Sequence, residues 1–398
     1  MTVSPLNHNL YNTISSPIMD SRRWVDGVKF PVDLPLINVS QAAPVGLPPA
    51  ALRQALADAV LNDVEAHLYG AVLGIDDLRD EVAKQWSTAY CGTIGVANVG
   101  ITSGCNQAFC ATISSLCAPG DAVILPAPWY FNHKMWLDMA GIECRVLMCE
   151  DDMLPSAQKA AVMIDERVKA IVLVTPNNPS GVEYPPGLLD AFYDVAKSAG
   201  ISLVVDETYR DFHSRTGEPH GLFTRPDWPE TLVQLYSFSK AYRLTGHRVG
   251  AIISSADRLA EIAKFLDTLT ICPNQLGQRG ALFGMRKLSE WLRAERLEIL
   301  DRRAAMTEGF PKLDGWQLKG CGAYFAYVAH PFDASSLVVA QRLVERASVL
   351  ALPGTMFSPT LSEGGSGHAE AHFRIAFANI DRREIQVLFD RLAAFSME

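Results

Sequence analysis

The chain has 398 residues, 48% hydrophobic and 20% charged, a balance that argues against wholesale disorder, and it is long enough for two domains. Its 35 Lys and Arg against 44 Asp and Glu leave a formal charge of −9 with no basic block, which speaks against non-specific binding to nucleic acid or an anionic membrane. The absence of a ~20-residue apolar run and of a signal-peptide start, with 8 scattered cysteines lacking CxxC pairs, predicts a cytoplasmic protein with reduced, mostly buried thiols.

The first 45 residues are rich in turn formers, among them Pro5, Pro17, Pro31, Pro35 and Pro44. They read as an arm with a short helix near 21–25. From Pro49 onward Leu52, Leu56, Val60 and Leu61 recur at helical spacing, and a second helix fits 75–90. Between about 100 and 255, apolar runs at 99–102, 122–125, 142–148, 170–175, 201–205, 232–236 and 249–254 read as strands. Helical segments at 106–117, 131–140, 156–166 and 187–199 separate most of them. This alternation predicts an α/β fold, a mainly parallel sheet covered by helices on both sides. From about 282 the texture becomes a long charged helix through Arg302, then a strand at 324–328, a helix at 334–346, a strand at 373–378 and a closing helix at 382–396. That is the pattern of a smaller α+β domain, with 362–368 as a polar, Gly-rich surface loop. The expected division is an arm joined to the small domain (1–45), a large domain (46–285) and a small C-terminal domain (286–398).

In doubly wound sheets, ligands lie beyond the carboxyl ends of the strands. This sequence gathers its unusual polar residues there. Gly104, Cys105, Asn106 and Gln107 open a helix after a strand, where unpaired N–H groups and the dipole suit a phosphate; a small-residue helix start is equally ordinary. Asp206 ends the apolar run ISLVV and needs a cationic or protonated partner, unless it merely caps a turn. Tyr209 follows and offers a phenol to the same space. Lys240 lies just past another strand with few charged neighbours: either a solvated lysine or an amine of lowered pKa, the form that condenses with carbonyls. Arg248, at the mouth of the next strand, has the fork to grip a phosphate dianion. Asn177 and Asn178 sit in a turn-like NNPSG, and Arg374 stands in the apolar FRIAFA, where it calls for an acid or a carboxylate ligand. Taken singly, each has an ordinary explanation. Together they describe a pocket for pyridoxal phosphate, which needs a lysine amine and a carboxylate for its pyridinium nitrogen.

SFSKAYRLTGHRVG, TPNNPSG and VVDETY together resemble the class I/II aminotransferases, the fold type I pyridoxal-phosphate enzymes, from about Ile37 to the C-terminus. The resemblance implies a three-layer α-β-α fold and a cofactor joined covalently to Lys240. It implies that Ser237, Ser239 and Arg248 hold the phosphate with the amides of Gly104 and Cys105, beside Asn106. Asp206 would pair with the ring nitrogen, and Tyr209 and Asn178 with the phenolic oxygen. In PAPWYFNH the stacked aromatic would be Tyr130 rather than Trp129, and Tyr69 in HLYGAVLGIDDLR would reach the phosphate of a neighbouring subunit in a symmetric homodimer. Arg374 would grip the substrate α-carboxylate, with Asn178 and Ala42 beside it. Two departures matter: Ala42 replaces a glycine common in the family, and 268–273 lacks the arginine that aspartate enzymes use for a distal carboxylate.

The implied reaction moves an amino group from an L-amino acid, not a dicarboxylic one, to a 2-oxo acid in a ping-pong Schiff-base cycle within amino-acid biosynthesis. β-Elimination shares the same carbanion and is the alternative on these residues. A cofactor-sensing DNA-binding regulator is disfavoured by the charge and by the lack of room for a winged helix. Asp206, Glu207, Asp211 and His213 lack metal-ligand spacing, so no metal is expected; His133 and His247 read as local hydrogen-bonding residues.

Overall fold

The computed structural model describes residues 6–44, 46–365 and 367–398. Pro5 of the arm and Ser366 of the polar loop lie outside them. After β1 (Ile37–Asn38) come the strands of a large sheet: β2 (Val99–Thr102), β3 (Ala122–Ala127), β4 (Glu143–Met148), β5 (Val168–Val174), β6 (Ser202–Asp206), β7 (Leu232–Ser237) and β8 (Gly250–Ile253). Their order is β2-β8-β7-β6-β5-β3-β4. Neighbours from β7 to β4 pair in parallel, whereas β8 runs antiparallel to both β7 and β2.

The two-residue period of a strand sends Ile171, Leu173, Leu203 and Val205 to one face and Ala170, Val172 and Val204 to the other, each into its own apolar cluster. Helices Asp76–Ala89 and Pro186–Ser198 cover the first face; Cys105–Leu116, Phe131–Ala140 and Ala256–Thr270 cover the second. This is the layered α/β arrangement the apolar runs predict.

A further cluster gathers Ile37 and Val39 of the arm with Ile299, Phe310, Val339, Phe373 and Leu388. It is built on β9 (Gln317–Gly322), β10 (Phe325–Ala329), β11 (Val349–Leu350), β12 (Leu352–Pro353) and β13 (His372–Ala376). The antiparallel order is β12-β13-β10-β9, and β1 pairs in parallel with β11, tying the arm to the C-terminal third.

Of the elements that differ from expectation, four have a local cause. The helix expected at 156–166 is only Ala157–Val162. Asp165 turns the chain instead, accepting from Arg167 N at 2.9 Å and from Arg145 Nη2 at 2.6 Å. The long helix expected from about 282 to Arg302 is two, Gln275–Lys287 and Ser289–Gly309, parted at Leu288 (φ −116°), whose side chain is buried with the first-face cluster. The arm's short helix lies earlier, at Pro17–Arg23, because Pro17 suits a first helical position. Strand β9, QLKGCG, went unread because its two glycines hide any strand signal.

Candidate active site

At the carboxyl ends of β5, β6 and β7 lies a cavity of about 280 Å³ lined by Cys105, Asn106, Tyr130, Asn178, Asp206, Tyr209, Ser237, Ser239, Lys240 and Arg248, with Gln41, Ala43, Val174, Thr208 and Thr245. Asp206 shares the strand parity of Val204, so it leaves β6 toward the second-face helices. There Oδ1 accepts from Thr208 N at 2.9 Å and Oδ2 meets His133 Nε2 at 3.3 Å. His133 is itself clamped, stacked on Phe109 with ring centres 3.9 Å apart. Glu207, of opposite parity, points away into a buried group with Tyr90, His220 and Gln234. The two adjacent acids therefore have separate environments, and among the described residues no three His, Cys, Asp or Glu are placed to hold a metal.

Lys240 sits in the single turn Phe238–Ala241, capped by Ser237 Oγ, which accepts from Ser239 N at 3.3 Å. Its Nζ donates to Ala42 O at 2.5 Å. Burial, then the guanidinium groups of Arg248 and Arg374, lower its pKa to about 8. A neutral amine is therefore within reach near neutral pH. Ser239 Oγ is buried without a partner among the described residues.

The start of helix Cys105–Leu116 has no side-chain cap, so its first N–H groups stay free for an anion. Gly104 precedes it at φ +90°, and a Cβ there would lie 2.3 Å from Arg248 Nη2. Glycine is what lets the arginine come down onto the helix start. Arg248 Nη1 donates to Thr245 O at 3.0 Å, and among the described residues Arg248 has no carboxylate partner.

Arg374, only 2% exposed, has no acid beside it among the described residues. Nη1 donates to Asn178 Oδ1 at 2.9 Å, Nη2 to Ser40 O, and Nε has no acceptor among the described residues. Burial lowers its pKa to about 10. The two asparagines divide their work: Asn177 Oδ1 builds the turn, accepting from Ser180 N at 2.9 Å and Oγ at 2.8 Å, while Asn178 faces Arg374 and the cavity. Tyr130 lines the cavity and donates to Asn106 Oδ1 at 3.3 Å; Trp129 packs in the core. Burial raises the Tyr130 phenol to about 12. Tyr209 packs edge-on against Tyr324 and Phe325. Tyr69 stands apart at the surface, 80% exposed.

Sequence reasoning missed His133 as the contact of Asp206, together with Gln41, Thr208 and Thr245 in the lining. The contacts of His133 come from packing between elements, and nothing in the arm's sequence marked Gln41.

The aminotransferase class I and II family model matches residues 35–392. The chain belongs to that family. An aromatic aminotransferase of Arabidopsis thaliana is 28% identical over 335 residues, covering 81% of this chain and 80% of the other. An aspartate aminotransferase of Sulfurisphaera tokodaii is 26% identical over 300 residues, 73% and 74% of the two chains. In structure, the aspartate aminotransferase from Thermus thermophilus with maleate matches at TM-score 0.87 and 21% identity, covering 98% of this chain and 99% of that one, a likeness of fold. Class I aminotransferases depend on pyridoxal 5'-phosphate, so this chain is a PLP-dependent aminotransferase acting between amino acids and 2-oxo acids. Membership favours transamination over β-elimination. Among the described residues no helix is long and apolar enough to cross a membrane.

Proposed function

We propose that this aminotransferase holds its cofactor in the 280 Å³ cavity, joined to Lys240 Nζ, and takes amino groups from neutral or aromatic L-amino acids. The observation that carries the reading is the partly buried Lys240 amine in the cavity with Arg248 and near Arg374, two guanidinium groups that lack carboxylate partners among the described residues; burial first, and then those two charges, lower its pKa to about 8. The residues fit the cofactor end by end. A phosphate suits the uncapped helix start at Cys105 and Asn106, the glycine-sized gap at Gly104, the unpartnered Ser239 hydroxyl, Ser237 and Arg248. A protonated ring nitrogen suits Asp206, whose other contact is His133. Tyr209 and Asn178 suit the phenolic oxygen, and Tyr130 the ring face.

When bound, pyridoxal 5'-phosphate supplies an aldehyde that condenses with amines and a conjugated ring that takes up the electron pair released at Cα. The chain's own residues do the rest. Arg374 and Asn178 grip the α-carboxylate and so fix which Cα bond is presented. Asp206 keeps the ring nitrogen protonated. The Lys240 amine, its pKa lowered chiefly by burial, takes the Cα proton and delivers it onward. Ala42 O holds that amine in place beforehand.

The absence of arginine from 268–273 supports a non-acidic donor. A dicarboxylic donor is favoured by one contact: Arg22 Nη2 donates to Gln41 Oε1 at 3.2 Å, and Gln41 lines the cavity. Mixing the holoenzyme with single amino acids, and following loss of the aldehyde absorbance, decides between them. Phenylalanine and neutral donors should react faster than aspartate. Faster reaction with aspartate, abolished by Arg22→Met, reverses the choice. Lys240→Ala should lower turnover by on the order of 10³-fold, and full turnover by that variant would remove the assignment.

The working unit in this proposal is a symmetric homodimer. Supporting it, Leu68, Tyr69, Leu269 and Ile271 are exposed on two segments joined by the Gly70 N to Cys272 Sγ hydrogen bond of 3.4 Å. Tyr69 would then reach the phosphate in the other subunit. The units 1–45, 46–285 and 286–398, a cytoplasmic setting and a role in amino-acid biosynthesis belong to the same proposal, the units supported by the separate core that the arm shares with the C-terminal third.

A further inference from the structure

Past Asp206 the chain makes a short turn that carries Tyr209 to the cofactor cavity and Arg210 to a different one. This second cavity, of about 520 Å³, lies against Trp86 and Tyr90 of the first-face cluster. Three arginines line it: Arg210, Arg215 from the following loop and Arg296 from helix Ser289–Gly309.

The buried Glu207 and the lining Asp211 act on Arg210, and the other two arginines are less well matched. The lining acids are Asp211 and Glu218. Asp211 accepts from Tyr236 Oη at 2.7 Å and lies 3.9 Å from Arg210 Nε, while Glu218 is exposed. His213 is engaged by Glu183 at 2.8 Å. Among the described residues Arg215 and Arg296 make no ion pair. Arg215 donates to Tyr184 O at 3.1 Å, and Arg296 to the carbonyls of His213, Ser214 and Arg215 at 2.7, 3.3 and 2.9 Å.

Arg210 is the centre of the arrangement. Its side chain is 12% exposed, its guanidinium stacks 3.9 Å from the Trp86 ring centre, and Nη1 is buried with no acceptor among the described residues. Stacking covers the face of the guanidinium, and Nη1 on its edge is left unsatisfied among the described residues. Asp211 and the buried Glu207 offset the desolvation of the charge, which leaves an unmet hydrogen-bond donor at Nη1. A planar N–H fork takes two oxygens of one carboxylate or phosphate at once.

We propose that this cavity is a second binding site, for a small organic anion held through carboxylate or phosphate oxygens by Arg210, with Arg215 and Arg296 attracting it. The site shares no residue with the cofactor cavity and depends on none of the roles proposed there.

The test titrates PLP-loaded protein at constant ionic strength with inorganic phosphate and, separately, with succinate, following tryptophan fluorescence, which the contact with Trp86 makes responsive. The expected result is a saturable change whose midpoint rises about tenfold in Arg210→Met and about threefold in Arg215→Gln, with the cofactor absorbance unmoved. Saturation by phosphate assigns a phosphorylated ligand, and saturation by succinate a carboxylate one. Arg215→Gln alters an exposed side chain, so it keeps the test open if Arg210→Met fails to fold. No saturable change with either anion, or midpoints unaltered by the substitutions that fold, overturns the proposal.

Discussion

Lys240 and Arg374 are cations placed where the fold alone gives them little reason to be. Lys240 has a folded-state pKa of about 8 against an ordinary 10.5. Folding therefore disfavours its charged form. That cost is full below about pH 8 and fades as the pH rises toward 10.5, since the native state sheds its proton first. Lys240→Met, of similar volume, should then raise the melting temperature of the cofactor-free protein at pH 7 and gain little at pH 10. An equal gain at both pH values would mean that the amine's charge is not what matters. Arg374 makes the companion case. With Nε unpartnered and no acid beside it among the described residues, Arg374→Gln should raise KM for the amino donor by on the order of 100-fold, the loss of about 3 kcal/mol of charge-assisted hydrogen bonding. Cofactor affinity should hold, and an unchanged KM would take the substrate carboxylate away from Arg374. Both residues were legible in sequence because a charge inside or just beyond an apolar run is conspicuous. His133 was not, since its contact with Asp206 and its stacking on Phe109 are made by packing between elements.

The phosphate end belongs to an element, the start of helix Cys105–Leu116, more than to any one side chain. Gly104 holds φ +90° with Arg248 against it, so Gly104→Ala adds both backbone strain and a clash with Nη2. The arginine tip can swing aside, which spares the fold and spoils the anion site. The expected outcome is cofactor affinity lower by about tenfold or more with melting of the cofactor-free protein shifted only modestly; unchanged affinity would mean that the phosphate lies elsewhere. At this scale the parallel strands were readable because burial on both faces leaves continuous runs of Val, Ile and Leu. Their ends were readable too, since Asp206 and Lys240 interrupt or follow those runs. Which asparagine of NNPSG builds the turn was not readable, because both have the same chemistry and only the fold separates Asn177 from Asn178. The break at Leu288 was hidden for a related reason: charged residues on both sides continue a helical texture, while the burial of that leucine decides the bend.

Across the whole molecule, the arm, the large sheet and the C-terminal third meet at the cavity. Gln41 and Ala43 arrive from the arm, Asp206 and Lys240 from the sheet, and Arg374 from β13 reaches Asn178 between them. The arm's contribution escaped the sequence reading because its path is set by a two-residue pairing of β1 with β11, far below any periodicity signal. A homodimer predicts a light-scattering mass twice the 43.5 kDa of the chain. It also predicts that Tyr69→Phe weakens cofactor binding, although Tyr69 touches nothing in its own cavity; a monomer with full activity would contradict both. One covalent bond, from Lys240 to the cofactor, underlies the proposed chemistry, and borohydride reduction of the PLP-loaded protein followed by peptide mass analysis reads it directly. The predicted result is a single reduced cofactor adduct on the peptide containing Lys240. An adduct on another lysine, or none on a protein that still transaminates, would contradict the assignment of Lys240.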